Sequence, residues 1–174
     1  DQVPPFDLPM TEDTVAATFI GVMTTPDRSA SQAAWAALLG APGWAAAPYQ
    51  SINYVSCHDN NTLFDRIALT LPDATFEELV RRNNLAAAYS ILAQGVPFFQ
   101  AGEEMLRTKP SKKDRFDHNS YRSPDRVNSL KWEDLDKEIY QKNVAYYKGL
   151  LAFRKAHPSL RLLTKEEVSR KVQP

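Results

Sequence analysis

The chain has 174 residues, of which 43% are hydrophobic and 24% charged, the ordinary make-up of a folded domain with a real core. Its 21 basic and 21 acidic side chains cancel, which removes the net positive field on which binding to nucleic acid or an anionic membrane relies. One cysteine, Cys57, excludes an intrachain disulfide, and no apolar run approaches the roughly 18 residues of a membrane span. No charged and apolar leader opens the chain and no initiator Met is present, so the expectation is a segment of a longer chain, and the compartment stays undetermined.

In chain order, Pro4, Pro5 and Pro9 predict an extended entry. Thr11-Glu12-Asp13-Thr14 then places a hydroxyl cap ahead of acidic first-turn residues and predicts a helix with Val15, Phe19, Ile20 and Met23 on its apolar stripe. Pro26 ends it. A second helical piece is expected from Ala33 to Leu39, closed by Gly40, Pro42 and Gly43. Ile52 to Cys57 reads as a short buried parallel strand. Thr62 to Leu69 reads as a short helix with Leu63, Phe64, Ile67 and Ala68 inward, and Thr75 to Gln94 as a long one with Leu79, Leu85, Ala86, Tyr89, Leu92 and Ala93 inward. Gly95 is placed to end that helix in the left-handed region. Val96 to Gln100 reads as another buried strand, with Pro97 tolerable near its start. Residues 105–134 form a long polar loop, in which the run from Lys109 to Arg115 reads as solvated. A last helix runs from about Leu135 to Ala156, with Ile139, Val144, Tyr147, Leu150, Leu151 and Phe153 inward.

The first strand stops at an adjacent imidazole and carboxylate, His58 and Asp59, with two amides, Asn60 and Asn61, directly behind them. Strand ends of this kind deliver chemistry in parallel α/β folds, although a capping role is the plainer alternative. Cys57 is either a nucleophile beside His58 or a small buried apolar group; neighbours on a strand point to opposite faces, which favours burial. Alternating helices and strands imply parallel βα units, yet two strands cannot close an eight-stranded barrel.

Asn53-Tyr54-Val55-Ser56-Cys57-His58-Asp59-Asn60-Asn61-Thr62-Leu63-Phe64-Asp65 resembles the seventh-strand motif of α-amylase-type glycoside hydrolases, and most closely the type I pullulanases. Gln94-Gly95-Val96-Pro97-Phe98-Phe99-Gln100-Ala101-Gly102-Glu103-Glu104 is similar to that family's eighth strand, and His118-Asn119-Ser120-Tyr121-Arg122-Ser123-Pro124-Asp125-Arg126-Val127-Asn128 to the loop after it. The resemblance covers roughly residues 50 to 160. It implies an α/β fold, the C-terminal portion of a (β/α)8 barrel, over residues 1–160, with 161–174 a tail towards a C-terminal β domain. Asp59 is implied as transition-state stabiliser and His58 as its partner at the −1 subsite. Asn60, Asn119, Tyr121 and Asp125 are implied as substrate-binding. Gln100 and Glu103 depart from the residues usual in the family.

What the resemblance implies is α-1,6 debranching of α-glucans (pullulan, glycogen, starch, limit dextrins), with no cofactor, metal, nucleic acid or membrane as partner. Retaining glycosidases need two carboxyl groups about 5–5.5 Å apart, which the family carries on its fourth and fifth strands. Phe6-Asp7-Leu8-Pro9-Met10 lacks the Arg of the nucleophile motif, and no acid-bearing strand fits before residue 52. The chain by itself is therefore expected to be inactive and to need the upstream barrel segment of the same enzyme. The alternatives are a non-catalytic α-glucan-binding or interaction module, or a metal-dependent hydrolase of the His-Asp type, for which His118 and His157 are the remaining histidines.

Overall fold

The computed structural model describes residues 38–40 and 45–172. The helix expected from Thr11, most of the one from Ala33, and the Phe6–Met10 segment lie outside the described residues. Among the described residues the chain is mostly helical around one two-stranded sheet. After a 3-10 turn, Pro48–Gln50, come β1 (Ile52–Asn53), α1 (Leu63–Thr70), α2 (Phe76–Leu92) and β2 (Val96–Pro97). Next are 3-10 turns Glu103–Met105 and Ser120–Arg122, α3 (Asp125–Asn128) and the 3-10 segment Trp132–Asp136. The chain closes with α4 (Glu138–Ala156), the turn Pro158–Leu160 and α5 (Lys165–Lys171).

β1 and β2 run parallel, Ile52 opposite Val96 and Asn53 opposite Pro97. The amides of Val96 and Phe98 donate to the carbonyls of Ser51 and Asn53 at 2.8 and 2.9 Å. Pro97, which has no N–H, falls between these two donors, so the ladder loses nothing to it. The strands are shorter than expected and are not buried on both faces: Ile52 is 61% exposed and Phe98 45%. Each strand has one strand partner among the described residues, so only alternate side chains meet a packed layer. Asn53 and Val55 point inward, while Tyr54 meets Phe98 edge-on at 6.0 Å.

Local signals set the helix starts. Thr62 and Thr75 accept from the amides of Asp65 and Glu78 at 3.1 and 3.2 Å, each satisfying one orphan donor of a first turn. α1 buries Leu63, Phe64, Ile67 and Ala68 against Leu79, Val80 and Ala86 of α2. Each large aliphatic side chain so buried contributes about 1.5–3 kcal/mol. A separate cluster joins Ala87 and Ile91 to Tyr147 of α4.

Some inward assignments shift. Leu85 is 43% exposed, while Leu79, Ala86 and Ala93 are buried as expected and the buried face of α2 widens to Asn83, Ala87, Ser90 and Ile91. On α4, Leu151 and Phe153 are 40% and 50% exposed, while Asn143, Tyr147 and Arg154 are buried. Ile139, Tyr147 and Leu150 pack inward as expected, and buried polar anchors at Asn143 and Arg154 add to them. Of the residues after 160, Lys165–Lys171 form α5; Val168 on it and Leu162 ahead of it are buried. The Leu162 amide donates to Gln94 Oε1 at 2.9 Å, and Gln94 Nε2 donates to the Ser159 carbonyl at 2.7 Å. Among the described residues no helix is long and apolar enough to cross a membrane.

Candidate functional site

β1 leads through the buried Val55 and Ser56 into an exposed turn that carries Cys57, His58 and Asp59. His58 Nε2 stands 3.3 Å from Asp59 Oδ2, and their side chains are 85% and 65% exposed. Asn60 follows with φ +60, a left-handed conformation that Asn tolerates better than most residues. That reversal turns the chain back into α1 and leaves the imidazole and carboxylate side by side at the surface. A shallow concavity beneath them is lined by Tyr54, Ser56, Asp59, Asn60 and Arg66 among others.

Two buried side chains from the segment after β2 hold this turn at either end. Before it, the Ser56 hydroxyl donates to Glu103 Oε2. Glu103 is 4% exposed, and its other oxygen accepts from the Tyr147 hydroxyl at 3.4 Å. Burial pushes the Glu103 carboxyl up to about 7, only partly offset by Ser56. After the turn, the Lys109 ammonium donates to the Asn60 carbonyl. Lys109 is 1% exposed and so departs from the reading of its run as solvated, whereas Lys112 to Arg115 are exposed as that reading has it. Its main-chain amide donates to Asp65 Oδ2 at 2.8 Å, and the Thr108 hydroxyl donates to the other Asp65 oxygen. Burial raises the Asp65 carboxyl above its ordinary value and lowers the Lys109 ammonium below its own.

Asn119, Tyr121 and Asp125 lie exposed on the Ser120–Arg122 turn and the start of α3. The Asn119 amide donates to Asp117 Oδ1 at 3.0 Å, and the Tyr121 ring lies 5.3 Å below the Arg122 guanidinium. Asp117 in turn donates its amide to the Lys109 carbonyl at 2.7 Å. A continuous run of hydrogen bonds thus connects Asn60, Lys109, Asp117 and Asn119. Phe64 is buried, as expected, and packs on Phe76 at 5.4 Å between ring centres.

Donor atoms of Cys57, His58 and Asp59 lie within 4.8 Å of one another. They are three consecutive residues on an open turn, and a closed structural metal site takes four protein ligands. His58 and Asp59 can also act as hydrogen-bonding groups towards the hydroxyls of a ligand. Sequence reasoning missed Asp65, Lys109 and the anchoring of Glu103. Asp65 is hidden in an apolar helix face, and in the sequence Lys109 is one of several loop cations.

No protein-family model matches the chain. It is 38% identical over 149 residues to a pullulanase of Bacillus subtilis, covering 82% of this chain and 20% of that protein. A chloroplastic pullulanase of Arabidopsis thaliana is 47% identical over 88 residues, 50% of this chain and 9% of the relative. Among solved structures, the Paenibacillus barengoltzii pullulanase in complex with maltohexaose and alpha-cyclodextrin superposes with a TM-score of 0.80 at 36% identity. That superposition covers 94% of this chain and 26% of the other. The chain belongs with the pullulanases. It spans about a fifth or less of the length of the curated pullulanases just named.

Proposed function

We propose that the chain forms part of the catalytic domain of a debranching glycoside hydrolase that cleaves α-1,6 bonds in α-glucans such as pullulan, glycogen, starch and limit dextrins. β1 and β2 correspond in this reading to the seventh and eighth strands of a (β/α)8 barrel, and residues 161–174 lead towards a C-terminal β domain. The observation that carries the reading is the exposed His58–Asp59 pair at the carboxyl end of a parallel strand, in a chain similar to pullulanases over most of its length.

At the −1 subsite, Asp59 accepts hydrogen bonds from sugar hydroxyls and His58 shares that ligand. Glycoside cleavage passes through an oxocarbenium-like state, so hydrogen bonds to ring hydroxyls strengthen as positive charge develops. Asp59 thereby stabilises the transition state more than the ground state, which is the condition for raising kcat. Asn60 contributes at the same subsite, while Asn119, Tyr121 and Asp125 line neighbouring ones. The nucleophile and the acid/base carboxyl belong to a part of the enzyme outside this chain, and His58 and Asp59 orient and stabilise without breaking the bond.

The test is Asp59→Ala in the longer protein that carries this chain. Turnover of pullulan is expected to fall by about 10²–10³-fold, with the thermal midpoint little changed because the side chain is exposed. Parental turnover in that variant, or reducing-end release by the purified 174-residue chain, would defeat the proposal.

A further inference from the structure

Lys109 is among the largest fully buried side chains, yet it carries a cation. A buried ammonium is costly unless its surroundings satisfy it, and a neutral side chain could fill the same space without that cost. Its place in the fold suggests what the charge does. The Nζ reaches the carbonyl of Asn60, 49 positions earlier in the chain, at the point where the backbone turns left-handed directly behind Asp59. The main-chain atoms of the same residue hold Asp65 of α1 on one side and the amide of Asp117 on the other. Asp117 then binds the Asn119 amide and receives the Ser123 hydroxyl. Lys109 therefore sits at the junction of the two surface elements to which the functional reading assigns substrate contacts, the His58–Asn60 turn and the Asn119–Asp125 segment.

We infer that Lys109 is a positioning residue for the −1 subsite: its ammonium fixes the Asn60–Asn61 peptide directly behind Asp59 and ties that turn to the loop bearing Asn119, with Asp65 holding Lys109 in place. This rests on the reading of Asp59 as transition-state stabiliser. Lys109 touches no substrate and acts through Asn60. Because the Asp59 carboxylate is reached through one peptide from the Asn60 carbonyl, a slack turn displaces it by a fraction of its own length. Displacements of that order at a catalytic group are enough to lower turnover by about tenfold or more.

The experiment compares Lys109→Met, Lys109→Ala and Asp59→Ala in the longer protein carrying this chain, with kcat, KM and thermal midpoint measured for each on pullulan. Lys109→Met keeps the bulk of the side chain and removes the ammonium. The expected result is a folded enzyme whose kcat falls at least about tenfold while KM changes less. Propylammonium added to Lys109→Ala is expected to restore a good part of kcat while the neutral 1-propanol of similar bulk does not, a difference that a merely space-filling role would not give. A folded Lys109→Met enzyme with kcat within about twofold of the parent overturns the inference. If Lys109→Met does not fold, the Ala variant decides: recovery of kcat with propylammonium supports positioning, while no recovery, or recovered folding without kcat, overturns it. Asp59→Ala separates the two claims. Undiminished turnover there sinks the functional reading itself, whereas loss at Asp59 with parental kcat at Lys109 sinks only the positioning role.

Discussion

Glu103 shows at the scale of one residue how a buried carboxyl can support a site it does not enter. It receives hydrogen bonds from Ser56 beneath the His58–Asp59 turn and from Tyr147 of α4, with the Glu104 carboxylate nearby. Burial is the largest influence and lifts its carboxyl from 4.5 to about 7, with Glu104 pushing the same way. The folded value therefore lies above the unfolded one. Between these two values the folded chain holds more protons than the unfolded chain, so stability falls as pH rises through the window from about 4.5 to 7. The group contributes nothing pH-dependent below or above that window. A shift of this size corresponds to roughly 3 kcal/mol. Glu103→Gln keeps the volume and an acceptor for Ser56 but cannot ionise. The variant is expected to lose the decline between about pH 5 and 7.5 and to exceed the parent in stability at about pH 8, as read by denaturant titrations at both ends. A variant that keeps the parental slope would place the titration elsewhere.

Among elements, the junction of α2 and β2 is the most constrained. Gly95 has φ +91, and a Cβ there would stand 2.7 Å from the carbonyl oxygens of both Pro48 and Ser51. Gly95→Ala is expected to destabilise the fold by about 1–3 kcal/mol through left-handed strain, with the contacts adding to it, seen as a lower denaturant midpoint. This glycine was legible from sequence because it punctuates a periodic segment, although it acts beyond Gln94 and not at the first position past the helix. The helix starts at Thr62 and Thr75 were legible as the beginnings of periodic segments, and their role as caps, each accepting from the amide three residues on, is what the structure adds. α5 carried the same signal in Thr164, which accepts from the Glu167 amide at 3.2 Å, but seven residues give too short a period to stand out. The strands fell short of their apolar runs because a strand is defined by its neighbours as much as by its own residues. His58 and Asp59 could be picked out as a pair at a strand end. Lys109 and Asp65 could not, because their meaning depends on contacts more than 40 positions apart, which leave no local pattern.

At the scale of the whole molecule, α4 is held to α2, β2 and the segment after β2 by buried polar contacts beside the apolar ones that were expected. Asn143 Nδ2 donates to the Glu104 carbonyl at 2.8 Å, and Tyr147 closes on Ala87 and Ile91. Arg154, 6% exposed, supplies the strongest tie. One of its terminal nitrogens donates to the carbonyls of Ile91 and Ala93 at 2.9 and 2.6 Å, and the other to that of Gly95 at 2.6 Å. These carbonyls include those left without partners where α2 ends, at the negative pole of its dipole, so the guanidinium satisfies acceptors and meets a favourable field together. The same contacts fix the entry into β2, and through β2 the register of β1 and the direction in which the His58–Asp59 turn leaves the sheet. Arg154→Met fills most of the volume but strands three acceptors, two buried and one part-buried. A loss of about 2–4 kcal/mol is expected, since each unsatisfied group costs about 1–3 kcal/mol and water recovers part of it. Arg154→Lys should recover only a fraction, because one ammonium cannot reproduce the planar fork that reaches three carbonyls. Denaturant unfolding of both variants measures this. If the Lys variant matches the parent, charge at the end of α2 is what matters; if it stays near the Met variant, the fork geometry holds α4 and the sheet together.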